Sequence, residues 1–390
     1  MANLKLISEC LEEKRGAAEA IEKMKPANQI LKIMKMQNCR QIVFSRDPKT
    51  KMFAILVVDS IPEKRDKCGK LKTETSSSGG TRLAHTDADA ALKDALQLAR
   101  AMTLKAKVLG INEGGAKAVV LKNQDKSKRF LHSVGDFIQM QKGSFRTAID
   151  MGFTLKDAKV IFSKTDFIDS LSHNAGGLGS TGENTAEGMI NGFQVISNEI
   201  LKKPLKDCFV SIQGLGSVGM ALARRLIKHK CRVLATDADI KRCTQAKKIG
   251  VKIVKPTKIF SQKVDIFAPC AFGGILNTQN ISKLKCKVVA GGANNQLEDE
   301  MNGEKMLFDK GITFIPDFVI NCSGFLQALI ERDGGDVKEA REKSKIVGRK
   351  VKQIIDFSRK NNCTLCESSI RLFGEENDTL NTKKCESRRN

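Results

Sequence analysis

Cys208-Phe-Val-Ser-Ile-Gln213, then Gly214-Leu215-Gly216-Ser217-Val218-Gly219, then Met220 to Lys230, then Cys231-Arg-Val-Leu-Ala-Thr-Asp237 follow one another without a gap. The first piece is a short apolar run. The third has helical spacing of Leu222, Leu226 and Ile227, and the fourth reads as a second strand that ends in an acid. Strand, glycine turn, helix and strand in this order are what a dinucleotide's diphosphate and ribose require. Gly214 permits the tight turn, Gly216 lets backbone approach the diphosphate, and Gly219 lets helix and strand pack closely, with the helix N-terminus facing the anion. Asp237 falls where a carboxylate takes the ribose hydroxyls. That favours NAD over NADP, because a 2'-phosphate would be repelled there, although Lys241 and Arg242 follow closely.

Working outward, 390 residues are enough for two domains with full cores, and 41% hydrophobic residues is ordinary for a globular chain. No run approaches the apolar length that crosses a bilayer. Met1 to Lys25 mixes acids and bases along an amphipathic stretch with no apolar signal core, so a cytoplasmic protein is expected. The twelve cysteines are scattered, and Cys208, Cys231, Cys270, Cys286 and Cys322 sit inside apolar segments as small reduced core residues. Cys363-Thr-Leu-Cys366 lacks a second pair or a nearby histidine, so no metal is expected. The net charge of +23 invites a nucleic-acid reading, but the bases are interleaved with acids along the whole length. Neither Trp nor Tyr is present to stack on a base, and no specific nucleic-acid partner is expected.

Upstream, residues 1–40 are charged and helix-forming. Ile42 to Phe44 and Phe53 to Val58 predict a hairpin joined at Asp47-Pro48. Lys64 to Ser78 reads as a mobile polar loop, with Gly79-Gly80-Thr81-Arg82 opening a turn after it. Ala88 to Met102 has the spacing of an amphipathic helix, Gly110 to Lys117 is punctuated by glycine, and Ala118 to Leu121 is strand-like. Lys159 to Phe162 reads as a further short strand, Ser172 to Asn184 as a hinge between domains, and Thr185 to Lys202 as a helix. Beyond Asp237, apolar runs at Val251 to Val254, Val264 to Phe267, Cys286 to Ala290 and Thr313 to Ile315 recur at the spacing of a parallel αβ sheet. Val337 to Lys360 predicts one long helix, and Glu375 to Asn390 a disordered tail.

Several patches resemble the amino-acid dehydrogenases that act on glutamate, leucine, phenylalanine and valine, and most resemble the leucine, phenylalanine and valine branch. They are Ala101 to Lys105, Gly110-Ile-Asn-Glu-Gly-Gly-Ala-Lys117, Thr147-Ala-Ile-Asp150-Met-Gly152, Gln213 to Gly219, Ile266-Phe-Ala-Pro-Cys270, Val289 to Leu297, and Pro316-Asp-Phe-Val-Ile-Asn321. They agree in order and spacing from about Gln41 to Gly374.

The resemblance implies hydride removal from an amino acid's Cα, with NAD as acceptor, and hydrolysis of the resulting imine to a 2-oxo acid and ammonia. It gives Lys105 the substrate carboxylate, helped by backbone around Gly79 and Gly80. Lys117 becomes the base that activates water, which a lysine can do only where burial and a neighbouring cation lower its pKa. Asp150 would exchange protons with the substrate nitrogen. Thr185 and Asn295 fall near nicotinamide and substrate, and Cys270 and Ala271 near the cofactor. Ser78, Ala148, Phe325 and Ala328 would line the side-chain pocket, which suits a branched aliphatic or aromatic group. Ser78 departs from the apolar residue usual before the paired glycines, and Ala116 from the glycine usual before the lysine. The loop after Pro62 is longer than usual.

The implied architecture is α/β with two domains and an active site in the cleft between them. Residues 1–171 form the substrate domain, with 1–40 as a helical extension. Residues 172–332 form a parallel-sheet Rossmann domain that binds NAD, 333–374 are helical and pack back towards the first domain, and 375–390 form the tail. A homo-oligomer is also implied. Two alternatives stay open: a glutamate dehydrogenase-like enzyme, which would need a basic residue in the pocket for a second carboxylate, and a catalytically silent nucleotide-binding protein.

Overall fold

A computed structural model of the chain describes residues 25–62, 76–122, 126–169 and 177–374. The expected tail, most of the expected loop after Pro62, the start of the expected hinge and most of the N-terminal extension lie outside these residues.

Helix α1 (Lys25–Gln37) leads into the hairpin β1 (Gln41–Asp47) and β2 (Met52–Val58). Then come β3 (Ser77–Ala84), α2 (Ala88–Leu109), β4 (Gly114–Leu121), α3 (Lys128–Gln139), β5 (Phe145–Ile149), α4 (Leu155–Phe162) and β6 (Ile168–Asp169). The strands form one sheet in the order β1-β2-β4-β3-β5-β6, parallel from β4 to β6 and antiparallel at the hairpin edge. One face is closed by α3 and α4 through Phe130, Val134, Phe137, Ile138 and Ile161. On the other, Ala91, Ala95 and Ala99 of α2 pack against Ile55, Val57 and Val119. Alanines four apart form one narrow stripe, which brings α2 close to the sheet.

The second unit begins with α5 (Gly182–Glu199), followed by β7 (Phe209–Gln213), α6 (Ser217–Lys228), β8 (Arg232–Thr236), α7 (Ile240–Lys248), β9 (Lys252–Ile253) and β10 (Ile266–Pro269). It continues through α8 (Thr278–Lys283), β11 (Val288–Val289), α9 (Glu300–Asp309) and β12 (Thr313–Phe314). The sheet order is β12-β11-β10-β7-β8-β9, and every pairing is parallel. Chain direction across the sheet reverses between β7 and β10, and the C-terminal ends of strands at such a reversal are where doubly wound sheets hold ligands. Helices α10 (Asp317–Ile320), α11 (Ser323–Arg332), α12 (Val337–Lys343), α13 (Ile346–Asn361) and α14 (Leu365–Phe373) complete the chain.

Three local expectations are corrected. Ser77 to Ala84 is an inner strand rather than a loop end and turn. Its small residues suit that place, because a Cβ on Gly79 would lie 1.7 Å from the Ala116 carbonyl oxygen. Lys159 to Phe162 closes helix α4 rather than forming a strand. A capping box starts that helix: Thr154 Oγ1 accepts from the Asp157 amide while Asp157 accepts from the Thr154 amide. The long C-terminal helix is two, α12 and α13, broken at Ser344-Lys345. Within residues 333–374, α13 packs mainly on α5, with Val347, Val351 and Ile354 in the core of the second unit, while α14 also reaches α2 of the first.

Candidate active site

Lys117 lies within β4, and its side chain is 4% exposed. Strand geometry puts every second residue on the same face, so Lys117 points with Gly115 towards α2. On β3 the same face carries Ser78, Gly80 and Arg82. A Cβ on Gly80 would fall 2.7 Å from Lys117 Nζ and 3.1 Å from Asp150 Cβ. The missing side chain of Gly80 is therefore the space in which the lysine and the aspartate meet. Lys117 Nζ donates a hydrogen bond to Asp150 Oδ2, and Arg82 Nε donates to the same oxygen at 3.1 Å. Arg82 is held in turn by Asp94 of α2 at 3.0 Å. Asp150 itself is placed by β5, which pairs Ala148 with Gly80, and by its amide donating to the Thr81 carbonyl at 3.0 Å.

Burial pushes the Lys117 ammonium below the ordinary lysine range; Asp150 pulls it back up in part, and Arg82 lowers it further. For Asp150 burial acts upward, but Lys117 and Arg82 together outweigh it and hold the carboxylate well below its usual range.

Lys105, on α2, is 6% exposed. Its Nζ donates to Asn294 Oδ1 at 2.8 Å, so a side chain of the first unit crosses to the loop after β11 of the second. Burial lowers its pKa, Asp317 and Cys322 act upward, and Lys117 and Asp150 are close enough to contribute with opposite signs. Asn321 Nδ2 donates to the same Asn294 oxygen at 2.9 Å. Asn295 adopts a left-handed φ of 49°. Its amide is held by Asp317 and its carbonyl by the Gly274 amide at 2.8 Å. The two ammonium groups and the carboxylate singled out by sequence are thus brought into one neighbourhood.

The glycine turn lies at the end of β7. Gly214 has φ 98°, with Ala271 packed against it, and a Cβ on Gly219 would meet the Gly214 carbonyl oxygen at 1.9 Å. A Cβ on Gly216 would meet nothing within 4 Å, so the space in front of the α6 N-terminus is open to a diphosphate. Asp237 Oδ2 accepts from the Leu215 amide at 2.6 Å and Oδ1 from the Asp239 amide at 2.8 Å, which fixes the carboxylate beside the turn. Cys270 is joined to β7 through its amide and the Gln213 carbonyl at 2.7 Å, and burial pushes its thiol up to about 12. Gln213 Oε1 and Thr236 Oγ1, at the ends of β7 and β8, are buried without a hydrogen-bond partner. These residues fit a dinucleotide. Ser217 and Val218 occupy the first turn of α6, where Ser217 lies against Gly182 and Val218 against Gly292. Thr185 donates to the Thr181 carbonyl at 2.9 Å and is tucked against Gly324, between this turn and α11.

Sequence alone does not single out a second polar group. Ser78 Oγ donates to Glu113 Oε2 at 2.9 Å, and Arg332 Nη2 donates to Glu113 Oε1 at 2.6 Å. Arg146, beside Ser78 in the sheet, donates through Nη2 to Asp169 at 2.9 Å. Arg332 follows Phe325 and Ala328 at spacings of three and four on α11, which puts all three on one helix face. The alternation of Ser78 with Gly80 was the one available signal. Among the described residues no group of side chains has the make-up of a metal site.

Residues 72–166 match the family described as Glu/Leu/Phe/Val dehydrogenase, dimerisation domain, and residues 236–367 match Glutamate/Leucine/Phenylalanine/Valine dehydrogenase. The chain is 31% identical to the leucine dehydrogenase of Geobacillus stearothermophilus over 90% of its own length and 94% of the relative's. It is 36% identical to the L-tryptophan dehydrogenase of Nostoc punctiforme over 80% and 88%. The phenylalanine dehydrogenase of Lysinibacillus sphaericus is 33% identical over 86% and 88%. The crystal structure of L-tryptophan dehydrogenase from Nostoc punctiforme superposes with a TM-score of 0.69, covering 91% of this chain and 99% of that one.

Proposed function

The chain belongs to the glutamate/leucine/phenylalanine/valine dehydrogenase family and is an amino-acid dehydrogenase, and we propose that it carries out NAD-dependent oxidative deamination of an L-amino acid with an apolar side chain, branched aliphatic or aromatic. The observation that carries this reading is the meeting of Lys117 and Asp150 in the space left by Gly80, with Lys105 alongside and reaching the second unit.

Lys105 receives the substrate carboxylate, exchanging its hydrogen bond to Asn294 for one to the ligand, beside the backbone of Gly79 and Gly80 in β3. A nicotinamide nucleotide held by the turn at Gly214 to Gly219 and by Asp237 would supply the acceptor for the hydride of Cα. Asp150, an ionised acceptor beside that position, takes the proton that the substrate nitrogen must release as the C–N bond gains double-bond character. Lys117 in its neutral form then takes one proton from water as the water oxygen bonds to Cα and hands it to nitrogen; as the C–N bond breaks and ammonia departs, Lys117 takes the remaining hydroxyl proton and the C=O bond of the 2-oxo acid closes. The lowered pKa makes the neutral form of Lys117 more populated than that of an ordinary lysine at the same pH. Arg82 holds Asp150 in place throughout. Closure of the two units on the ligand excludes water from these charges and strengthens each contact.

Asp237, with its carboxylate fixed at the turn, supports NAD as the nucleotide. A glutamate dehydrogenase-like substrate is not favoured, because the guanidinium groups beside Ser78 are each already matched by an acid. The match of residues 72–166 to a dimerisation domain supports a homo-oligomer. No helix among the described residues is long and apolar enough to cross a membrane.

The test is NADH formation with a panel of L-amino acids. Turnover of aliphatic or aromatic members ahead of glutamate and aspartate is expected, and a preference for the dicarboxylic members would overturn the substrate class.

A further inference from the structure

We propose that Ser78, Glu113 and Arg332 form the far end of the substrate's side-chain pocket, and that this end selects a side chain that is hydrocarbon near Cα and carries an uncharged hydrogen-bond acceptor at its tip. The proposal rests on the placement of Lys117, Asp150 and Lys105 as the reacting centre, and it narrows the substrate class given above.

Ser78 and Gly80 point to the same face of β3, and two residues of strand span about 6.6 Å. That is close to the reach of a leucine- or phenylalanine-sized side chain measured from a Cα held over Gly80. Ala148, opposite Gly80 on β5, and the α11 face carrying Phe325 and Ala328 supply apolar walls along this distance. The same α11 face ends in Arg332, and its guanidinium meets Glu113, which Ser78 also reaches. Apolar wall thus gives way to a hydrogen-bonded network where a substrate side chain would end.

The network's composition decides what it can take. It holds two guanidinium groups, Arg146 and Arg332, and two carboxylates, Glu113 and Asp169, paired at 2.9 and 2.6 Å. The carboxylate side chains are each 8% exposed. A further charge, of either sign, would unbalance a buried neutral set, and that is costly. Acceptor capacity on Glu113 is engaged, since Ser76 at 3.3 Å and Ser78 at 2.9 Å share Oε2 while Arg332 takes Oε1. Donor capacity is left over: Arg332 Nη1 and Arg146 Nε are buried without a partner. A buried donor that lacks a partner favours a ligand that brings an acceptor, and a hydrocarbon tip leaves the cost standing.

The experiment compares isosteric substrate pairs on the full chain, so that size cancels. The pairs are O-methyl-L-homoserine with L-norleucine, and 3-(4-pyridyl)-L-alanine with L-phenylalanine, at a pH where the pyridine is neutral. The acceptor member of each pair is expected to have the higher kcat/KM by about tenfold. In the double variant Glu113→Gln with Arg332→Met, which removes both charges together, the ratio is expected to fall to about one. Ser78→Leu, which fills the end with hydrocarbon, is expected to move the ratio the same way without touching either charge. Equal or reversed ratios in the native protein would overturn the proposal, as would a ratio that neither variant moves, because an ion pair that only braces the fold would change stability and leave the ratio alone. Failure to turn over any amino acid would instead overturn the deamination reading, and this proposal with it.

Discussion

A single methyl group at Gly80 would press directly on the Lys117 ammonium, since the added carbon would lie 2.7 Å from Nζ. Gly80→Ala is therefore expected to leave the fold in place while displacing the base, with kcat lowered on the order of a hundredfold and little change in Tm. Steady-state kinetics and thermal unfolding of the same preparation check this. On the proposed mechanism the same residue sets the pH profile. Because burial favours its neutral form, Lys117 loses its proton at a lower pH than an ordinary lysine, so kcat/KM is expected to rise with pH and level off below the ordinary lysine range. Lys117→Arg, which stays protonated throughout, is expected to abolish that rising limb together with the activity. Lys117, Lys105 and Asp150 were legible in the chain only through the order of glycine-rich patches around them. Arg82 and Glu113 were not, because Arg82 matters through the strand face it shares with Gly80 and Glu113 through its contacts with Ser78 and Arg332, and Ser77 to Ala84 does not look like a strand by composition.

Elements whose signal is local and repeated read correctly from sequence. The dinucleotide unit from Phe209 to Asp237 is one: turn glycines, helical spacing and a terminal acid each make the same demand, and the structure shows the open space at Gly216 and the tight contact at Gly219 that follow. Strand β3 is the opposite case. Serine and glycine disfavour strands in isolation, and this one exists because its neighbours β4 and β5 supply partners on both sides and tolerate no larger side chain at Gly79. In α4 the run Val160-Ile-Phe162 suggests a strand, yet the Thr154 and Asp157 capping box starts the helix at Leu155, ahead of that run. Thr154→Ala is expected to destabilise the protein by about 1 kcal/mol without altering KM, as read from denaturant unfolding beside kinetics.

Across the whole molecule, the proposed function depends on two separately built sheets presenting their chemistry to one another. The first holds Lys117 and Asp150 on a rigid face, and the second holds Asp237 and the open turn at a strand reversal. Lys105 to Asn294 and Glu113 to Arg332 are two of the polar contacts between them among the described residues. Spacing along the chain shows that both sheets exist but not that these particular side chains meet across 189 and 219 residues. The account stands on Lys117 acting in the chemical step and not in holding the nucleotide. The most direct measurement is NADH production by the Lys117→Ala variant with the best amino acid of the panel, beside a titration of NADH binding to the same protein. Turnover is expected to vanish while NADH affinity stays within about twofold of the native value. A variant that keeps the full rate would contradict the account.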